Sequence, residues 1–432
     1  MSDHIVKANN PIDVEDPTVE KTECCIVGGG PAGAVLALLL ARQGVGVTLL
    51  EAHGDFNRDF RGDALQPAVL QVLGQMGLAD RVLALALARF SSFPFHTPSG
   101  SVHHADVSRL KTPYPFITMV PQVRFLDLIV SEARRCPAFR LVMGARVEAL
   151  VREDDGHVRG VRYRTRDGWH EIRTELVIGA DGRSSRLRGL AGLEPVRTAS
   201  PIDFLWFRLP RHDTDPDSGA YLGDGGWAAL LNRGAEWQVG YSLEKGGYAR
   251  LRAQGLDALR RSVELRVPWL ADRTDILRDW QQTSLLSVEV CRLRRWYQPG
   301  LLLIGDAAHT MSPVGGVGIG EAIQDAVVAS NVLGPRLRAG HVRESDLAAV
   351  QRRREWPVRI VQGYQRLVQA SLMATSAGVA AGRVPLGLRV QARTPFLRDV
   401  ASRIFGLGVW PAKLRQTHTS EQVALVDTPA AA

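Results

Sequence analysis

Cysteine, lysine and long apolar runs are all scarce in this sequence of 432 residues. Its four cysteines, Cys24, Cys25, Cys136 and Cys291, include an adjacent pair and show no metal-ligand spacing, which argues against a disulfide framework and a zinc site. No run approaches the ~20 apolar residues that a membrane-spanning helix needs, and the polar N-terminus lacks the apolar core of a secretory signal. These absences predict a cytoplasmic protein without a transmembrane segment or a bound metal.

The basic residues are scattered rather than clustered. They number 53, of which five are lysines, and they are mixed with 45 acidic residues, which leaves a formal net charge of +8. Because a nucleic-acid-binding protein would gather its basic side chains on one stripe or in a tail, we expect no nucleic-acid partner. The modest positive field suits an anionic nucleotide or substrate instead.

A glycine-rich turn joins the first predicted strand to the first predicted helix. The apolar run CCIV ends at Gly28, Gly30 and Gly33, which form a GxGxxG motif, and a helix is predicted from Ala32 to Arg42. The next strand, GVTLL, ends at Glu51, where a carboxylate is placed to accept hydrogen bonds from a ribose. Such a turn brings backbone amides and a helix N-terminus up to a pyrophosphate. The pattern predicts a dinucleotide site that fits FAD and NAD equally well; turn glycines without a ligand are the alternative.

Two further motifs follow predicted buried strands later in the chain. GADGRSSRLR contains DGxxSxxR, which begins at Asp181, and GDAAHTMSPVGGVGIG contains Asp306, Pro313 and a glycine-rich turn that opens a helix. In this order, the three motifs resemble those of the flavoprotein aromatic hydroxylases, the single-component FAD-dependent monooxygenases of the p-hydroxybenzoate hydroxylase type. The resemblance covers about residues 22–340 and makes FAD the expected bound dinucleotide.

The resemblance assigns roles to several residues around the flavin. Asp306 would bind the ribityl chain, and the second motif, with Asp181, would support both FAD and a transiently bound pyridine nucleotide, NADH or NADPH. Arg61 lies where the family places an arginine near the flavin, and Gln122 lies where an arginine or glutamine contacts FAD. The residues alone leave open that Arg61 is a solvated surface side chain and that Gln122 only starts a helix.

The glycine-rich turn of the third motif has a physical rationale of its own. Pro313, Gly315 and Gly316 are expected to line the flavin ring, because little side-chain bulk lets backbone amides approach a ring edge. The following helix, predicted from about Ile319 to Leu333, would direct its positive end at that edge and stabilise reduced flavin. Gly320 stands where the family commonly has asparagine, so the amide is kept and the side chain is lost. The cofactor-binding residues expected at the start of this helix are Gly318, Ile319 and Gly320.

Aromatic side chains are frequent between about residues 196 and 289, in segments that alternate as antiparallel strands do. In the segment DFLWFRLP, a period of two sends successive side chains to opposite faces, and one face should look toward the flavin. An apolar wall with few polar anchors suits a hydrophobic aromatic substrate, although the same side chains could simply pack the sheet. The candidate substrate residues are Phe204, Trp206, Arg208, Trp227 and Tyr241, with Trp237 as a further member of the wall.

The expected fold is α/β, or α+β, with two lobes: a Rossmann-like FAD-binding domain, a substrate lobe built on an antiparallel sheet, and C-terminal helices. The substrate lobe interrupts the FAD-binding domain, which is therefore discontinuous. The predicted bounds are 1–21 for a flexible N-terminal arm; 22–89, 107–195 and 290–343 for the FAD-binding domain; 90–106 and 196–289 for the substrate lobe; 344–415 for the C-terminal helices; and 416–432 for a tail.

The resemblance implies a monooxygenase reaction carried by the flavin. NADH or NADPH would reduce FAD, oxygen would add to the reduced ring, and one oxygen atom would pass to a largely hydrophobic, aromatic small molecule in a hydroxylation or epoxidation. No catalytic side chain or metal is required. His309 is expected to pack or cap rather than transfer protons, and Glu321 and Asp325 are expected to serve helix termini or neighbouring turns.

Several alternatives stay open at this point. A FAD-dependent reductase or dehydrogenase could use the same site without oxygen insertion, and Gly320 gives some support to a non-catalytic flavin-binding module. A halogenase is disfavoured because no WxWxIP segment occurs. The apolar, arginine-dotted segment from Gly378 to Trp410 is expected to pack on the protein, with contact to a membrane surface as the alternative. A homodimer is the candidate oligomer.

Overall fold

A computed structural model gives the fold of residues 18–57, 62–98, 100–223, 225–378, 390 and 393–415. Strands are numbered β1–β21 and helices α1–α10 in chain order. The first strand begins at Thr18, so residues 18–21, which were predicted to belong to a flexible arm, lie in a sheet. The rest of the predicted arm, residues 1–17, and the predicted tail, residues 416–432, lie outside the described residues.

Eight strands form the main sheet: β1 (Thr18–Val27), β2 (Val47–Glu51), β8 (Phe139–Met143), β9 (Arg146–Arg152), β10 (Val158–Thr165), β11 (Gly168–Gly179), β19 (Tyr297–Gln298) and β20 (Leu301–Leu303). β1 lies at the centre and pairs in parallel with β2 and β11; β8 and β20 continue the parallel part on either side. β9, β10 and β19 are added by antiparallel pairing. The parallel centre is the Rossmann-like arrangement that the first motif predicts.

The described ranges contain ten α-helices: α1 (Pro31–Ala41), α2 (Pro67–Gln75), α3 (Ala79–Leu83), α4 (Gln122–Ala133), α5 (Arg186–Leu190), α6 (Tyr248–Ala253), α7 (Leu256–Arg266), α8 (Gly318–Arg338), α9 (Glu344–Gly378) and α10 (Pro395–Leu407). α1 packs against α4 and α8, and ten of its eleven residues are buried. This burial explains why its sequence shows no amphipathic period. The C-terminal helices predicted within residues 344–415 are present as α9 and α10.

Seven strands form the second sheet: β5 (Ser92–Thr97), β6 (Gly100–Asp106), β13 (Ile202–Pro210), β14 (Gly219–Gly223), β15 (Gly226–Asn232), β16 (Glu236–Glu244) and β17 (Ser284–Leu286). The pairing is antiparallel except between β14 and β5. Strands of the two segments predicted for the substrate lobe, 90–106 and 196–289, therefore share one sheet. Where the chain divides into domains remains a prediction, because pairing defines sheets and not domain boundaries.

Two three-stranded sheets complete the fold. One contains β3 (Ala64–Leu65), β4 (Ala88–Phe90) and β7 (Ile117–Met119), and the other contains β12 (Pro195–Thr198), β18 (Val290–Leu293) and β21 (His309–Thr310). β8 and β9 are separated by a turn at Gly144, whose φ is 69°. A positive φ of this size favours glycine.

Disulfide bonds, membrane-spanning helices and metal sites can each be checked against the described residues. All four cysteines are free. Within the part of the chain that the structure describes, no helix is both long and apolar enough to cross a membrane, and no group of His, Cys, Asp and Glu side chains could hold a metal ion.

Candidate active site

One cavity of about 840 Å³ connects all three sequence motifs with the second sheet. It is lined by the glycine turn after β1, the end of β2, the turn after β11, the loop between β21 and α8, and one face of β13, β15 and β16. The carboxyl ends of parallel strands thus open onto the same space as an aromatic sheet face. In doubly wound sheets this edge is where nucleotide ligands bind.

The glycines of the first motif have different structural requirements. Gly28 has a φ of 105°, and a Cβ added to it would lie 2.4 Å from the Ala180 carbonyl oxygen. A Cβ on Gly33 would lie 1.9 Å from the Gly28 carbonyl oxygen, where no side chain fits. Gly30, in contrast, has no atom within 4 Å of its Cβ position and lines the cavity. The outer glycines therefore shape the turn, and Gly30 leaves room for a ligand.

Glu51, at the end of β2, is buried and holds this turn. Its Oε2 accepts a hydrogen bond from the Gly29 amide at 2.8 Å, and its Oε1 accepts one from the His53 amide at 2.9 Å. The His53 ring Nδ1 also lies 2.8 Å from Oε1. The carboxylate lines the cavity, as a ribose-binding residue would.

Asp181, in the second motif, organises the turn that follows β11. Its Oδ1 accepts a hydrogen bond from the Ser185 hydroxyl at 2.6 Å, and its Oδ2 accepts one from the Leu187 amide at 3.0 Å. Ser185 in turn caps α5 by accepting from the Arg188 amide at 3.0 Å. Asp181 also lines the cavity, so one carboxylate is placed both to fix the turn and to meet a ligand.

Arg188 ties the second motif to the third. Its guanidinium donates to the Arg183 carbonyl at 2.7 Å and to the Ala307 carbonyl at 3.1 Å. Ala307 directly follows Asp306 in the short 3₁₀ helix Gly305–Ala307, and Asp306 lines the cavity. The spacing DGxxSxxR is therefore a structural bridge that holds Asp306 in position.

A buried charge cluster lies beneath the third motif. Asp325 accepts from the Gly305 amide at 2.8 Å, from the His309 ring at 2.6 Å and from the Arg354 Nε at 2.7 Å. Arg354 also pairs with Glu321. Burial alone would raise the pKa of Asp325, but His309 and Arg354 outweigh it and lower that pKa to about 2. The cluster holds the turn before Asp306, which confirms the predicted structural role of Asp325.

His309 is only 1% exposed, pairs with Asp325 and does not belong to the described cavity lining. This position fits packing rather than proton transfer. Arg354 was missed from the sequence, because one buried arginine within the run RRRE on a long helix carries no signal that distinguishes it from its exposed neighbours.

The glycine loop before α8 packs against the C-terminal helix α10. Gly315 and Gly316 have φ values of 82° and 63°, and a Cβ on Gly315 would lie 1.9 Å from the Phe405 ring. No sequence pattern places Phe405 here, since its helix lies some 90 residues downstream. The expected flavin-ring residues that line the cavity are Pro313, Gly315, Gly316, Gly318 and Ile319.

Gly320 does not belong to the described cavity lining, and its expected contact with the cofactor stays a prediction. It faces Gln66, whose Oε1 would lie 3.2 Å from an added Cβ. The Gln66 Nε2 donates to the Gly316 carbonyl at 2.6 Å and so braces the glycine loop. The Gln66 side chain thus lies next to the space that a side chain at position 320 would occupy.

Gln122 and Arg61 are the two remaining cofactor candidates. Gln122 begins α4, lines the cavity and donates from its side chain to the Gly62 carbonyl at 3.3 Å. Its backbone amide donates to the Asp63 carboxylate at 3.1 Å. Arg61 lies outside the described residues.

Three of the substrate candidates, Phe204, Trp206 and Trp227, meet on the cavity face of the second sheet. The ring centroid of Phe204 lies 5.9 Å from that of Trp206 and 5.8 Å from that of Trp227. Gly240 faces Trp206 across the strand pair, and a Cβ there would lie 2.7 Å from the indole. The absence of a side chain at Gly240 allows the indole to lie across β16.

The other three substrate candidates need correction. Tyr241 and Trp237 pair with Leu205 and Leu209, so they lie on the face that packs against α7, away from the cavity. Tyr241 hydrogen-bonds Ser262 there, and the Trp237 indole donates to Asp215 at 2.8 Å. Arg208 lies on the face of Trp206 but beyond the described cavity lining. Both faces of this sheet are apolar, so alternation could not tell which one meets the cavity.

Comparison with known proteins settles the family. The model of the FAD-binding-domain family matches residues 21–363. A 6-methylpretetramide 4-monooxygenase from Streptomyces rimosus is 35% identical over 385 residues, which cover 89% of this chain and 92% of that protein. The chain belongs to the FAD-dependent aromatic hydroxylases. It is a monooxygenase that uses FAD, with NADH or NADPH as co-substrate, as the resemblance implies.

Two solved structures share the fold of this hydroxylase. OxyS, an anhydrotetracycline hydroxylase from Streptomyces rimosus, has a TM-score of 0.73 at 21% identity and matches 90% of this chain and 77% of its own. PqsL from Pseudomonas aeruginosa, solved in complex with 2-aminobenzoylacetate, also has a TM-score of 0.73, at 23% identity, and matches 84% of this chain and 100% of its own. At these identities the likeness concerns the fold.

The described residues of the hydroxylase fit FAD. The glycine turn leaves open space at Gly30. From there the cavity continues past Asp181 and Asp306 to the glycine loop at Gly316. A dinucleotide needs such a path of exposed backbone along the strand ends. When bound, FAD supplies the redox chemistry, and the protein orients the reactants and excludes water.

Proposed function

We propose that this hydroxylase uses O2 to introduce one oxygen atom into a hydrophobic, polycyclic aromatic substrate. The observation that carries the proposal is the single cavity in which the faces of Phe204, Trp206 and Trp227 adjoin the glycine loop at Gly315 and Gly316. Aromatic walls favour flat ring systems, and one continuous space brings a ring bound there up to the flavin. The names of the relatives, a 6-methylpretetramide monooxygenase and an anhydrotetracycline hydroxylase, support a substrate with several fused rings.

The cofactor roles form part of the proposal. Glu51 would bind the ribose of FAD, Asp306 the ribityl chain, and Asp181 the region shared by FAD and the pyridine nucleotide. The backbone of the loop at Gly315 and Gly316 would face the flavin ring. The position of each residue in the cavity lining supports these roles.

The wall opposite the sheet would exclude water from the reaction. Val314 of the glycine loop and Val368 and Leu372 of α9 line the cavity and pack in one cluster with Phe204 and Trp227. An apolar enclosure limits unproductive release of reduced oxygen, which the hydroxylase must avoid. The long C-terminal helix is thus proposed to contribute directly to substrate binding.

Oxygen and NAD(P)H consumption by the purified, FAD-loaded protein tests the proposal. The assay compares phenols, quinolones and polycyclic aromatics with a substrate-free control, and measures hydrogen peroxide in parallel. We expect polycyclic aromatics to stimulate consumption of both co-substrates and to yield an oxygenated product. Flavin reduction without substrate-dependent oxygen uptake would contradict the proposal and favour a reductase.

A cytoplasmic location and a homodimer belong to the same proposal. The four free cysteines support a reducing compartment. Light scattering of the FAD-loaded protein would measure the oligomeric state, and a monomer at micromolar concentration would exclude a stable dimer.

A further inference from the structure

Gln238 stands out as a polar side chain on the aromatic face of the second sheet. It lies on β16, is 2% exposed and lines the cavity. The strand pairing places it between Leu231 of β15 and Arg208 of β13, one row from Trp206 and Gly240. A buried amide on an apolar wall needs hydrogen-bond partners, because desolvation without them is costly.

The side-chain oxygen of Gln238 accepts a hydrogen bond from Arg233, and this contact fixes the orientation of the amide. The Arg233 Nη1 donates to the Gln238 Oε1 at 2.9 Å. A guanidinium has no acceptor, so the atom that faces it must be the oxygen, and the Nε2 group must point away. Within the described residues, no protein group accepts a hydrogen bond from that Nε2.

Arg233 is itself held in place. It forms an ion pair with Asp63, and the two side chains are 11% and 4% exposed. Asp63 accepts the Gln122 amide at 3.1 Å, and its carbonyl accepts the Val120 amide at 2.9 Å. The orientation of Gln238 is therefore set by a buried chain of contacts that runs to the start of α4, so little side-chain freedom remains to be lost on binding.

We propose that the Gln238 Nε2 group binds an acceptor oxygen of the aromatic substrate, either a phenolic oxygen or a ring carbonyl. The inference rests on the proposed function and narrows its substrate class to oxygen-bearing aromatics. Stacking on Phe204, Trp206 and Trp227 leaves a flat ring free to rotate in its plane. One fixed donor at the edge of the wall removes that rotation and selects which ring carbon faces the flavin.

The test compares 1-naphthol with naphthalene, two probes that differ by one hydroxyl group. Equilibrium dialysis against the oxidised, FAD-loaded protein measures both dissociation constants without NAD(P)H. The native protein should prefer 1-naphthol by about 5- to 10-fold, the equivalent of one net hydrogen bond. Gln238→Leu should remove that preference and leave the dissociation constant of naphthalene unchanged.

Two further variants make the result specific. Gln71→Leu removes a glutamine that is bonded to Thr112 outside the described cavity lining, and should keep the full preference. Gln238→Met keeps a side chain of similar length but has no donor, so it should lose the preference even if the leucine variant folds poorly. Bound FAD reports folding in each variant.

Equal binding of the two probes by native protein, or binding of neither, would overturn the inference. A preference for 1-naphthol that persists in both Gln238 variants would also overturn it. Because no reductant is present, the outcome is separate from that of the turnover assay. A Gln238-dependent preference in a protein that never inserts oxygen would retain the binding site and reject the proposed function.

Discussion

The two halves of the cavity are built in different ways. The flavin half consists largely of main chain: the turns after β1, β11 and β20 and the loop between β21 and α8. An added Cβ would collide with backbone at Gly28 and Gly33 and with the Phe405 ring at Gly315. The substrate half consists of side chains that project from β13, β15 and β16. A site made of backbone tolerates few added atoms, whereas a site made of side chains can change shape by substitution. A single substitution in the flavin half should therefore disrupt FAD binding. A substitution in the substrate half should instead change the shape of the substrate site.

The largest effect should come from the charges beneath the flavin half. Arg354→Leu leaves the carboxylates of Asp325 and Glu321 buried without their cation and should lower the free energy of unfolding by about 3–5 kcal/mol. Urea denaturation measures the change. The neighbouring exposed Arg353→Leu is the control and should stay within about 0.5 kcal/mol of the native protein. Similar values for the two variants would show that the cluster does not stabilise this half.

The next effect concerns the glycine turn. In Gly33→Ala, the new Cβ would lie 1.9 Å from the Gly28 carbonyl oxygen, so the turn must open. We expect a loss of about 1–3 kcal/mol in stability and at least about 10-fold weaker FAD binding. The ratio of flavin to protein after gel filtration measures retention. Gly189→Ala, at an exposed position of α5 with no atom within 4 Å of the added Cβ, is the matched control. Equal FAD retention by both variants would contradict a backbone-built site.

Acid should weaken the flavin half through Asp325. Its pKa is lowered from 3.8 to about 2 in the fold, so its stabilising contribution is present above pH 4 and disappears as the pH falls toward 2. At about 1.4 kcal/mol per pKa unit, this contribution is on the order of 2 kcal/mol. Asp325→Asn should be less stable at neutral pH and should lose less stability between pH 4 and pH 2. Parallel stability curves for the two proteins would reject the assignment.

The smallest predicted effect belongs to the substrate half. Gly240→Ala would place a Cβ 2.7 Å from the Trp206 indole, and this ring can move into the cavity. We expect about 10-fold weaker aromatic-substrate binding, equivalent to about 1.4 kcal/mol, with FAD retention unchanged. Tyr241→Phe changes the adjacent residue on the opposite face and should leave substrate binding as it is. Loss of substrate binding in the tyrosine variant would show that the two faces are assigned wrongly.

The same difference between the halves explains what the sequence could predict. The glycine positions, the acids at strand ends and the order of the three motifs predicted the Rossmann-like fold and the elements of the flavin half, because backbone geometry restricts residue choice there. Arg354 and Phe405 were missed because each reaches the site from a distant C-terminal helix. Trp237 and Tyr241 were placed on the wrong face because both faces of the second sheet are apolar, and only packing against α7 distinguishes them.

We propose that this FAD-dependent hydroxylase transfers oxygen to an aromatic ring bound on the face of Phe204, Trp206 and Trp227. The most direct measurement supplies oxygen-18 gas and NADPH to the FAD-loaded protein with a polycyclic phenol and determines the mass of the product. The organic product should carry one atom of oxygen-18. Consumption of NADPH with the label recovered only in peroxide and water, and none in an organic product, would contradict it.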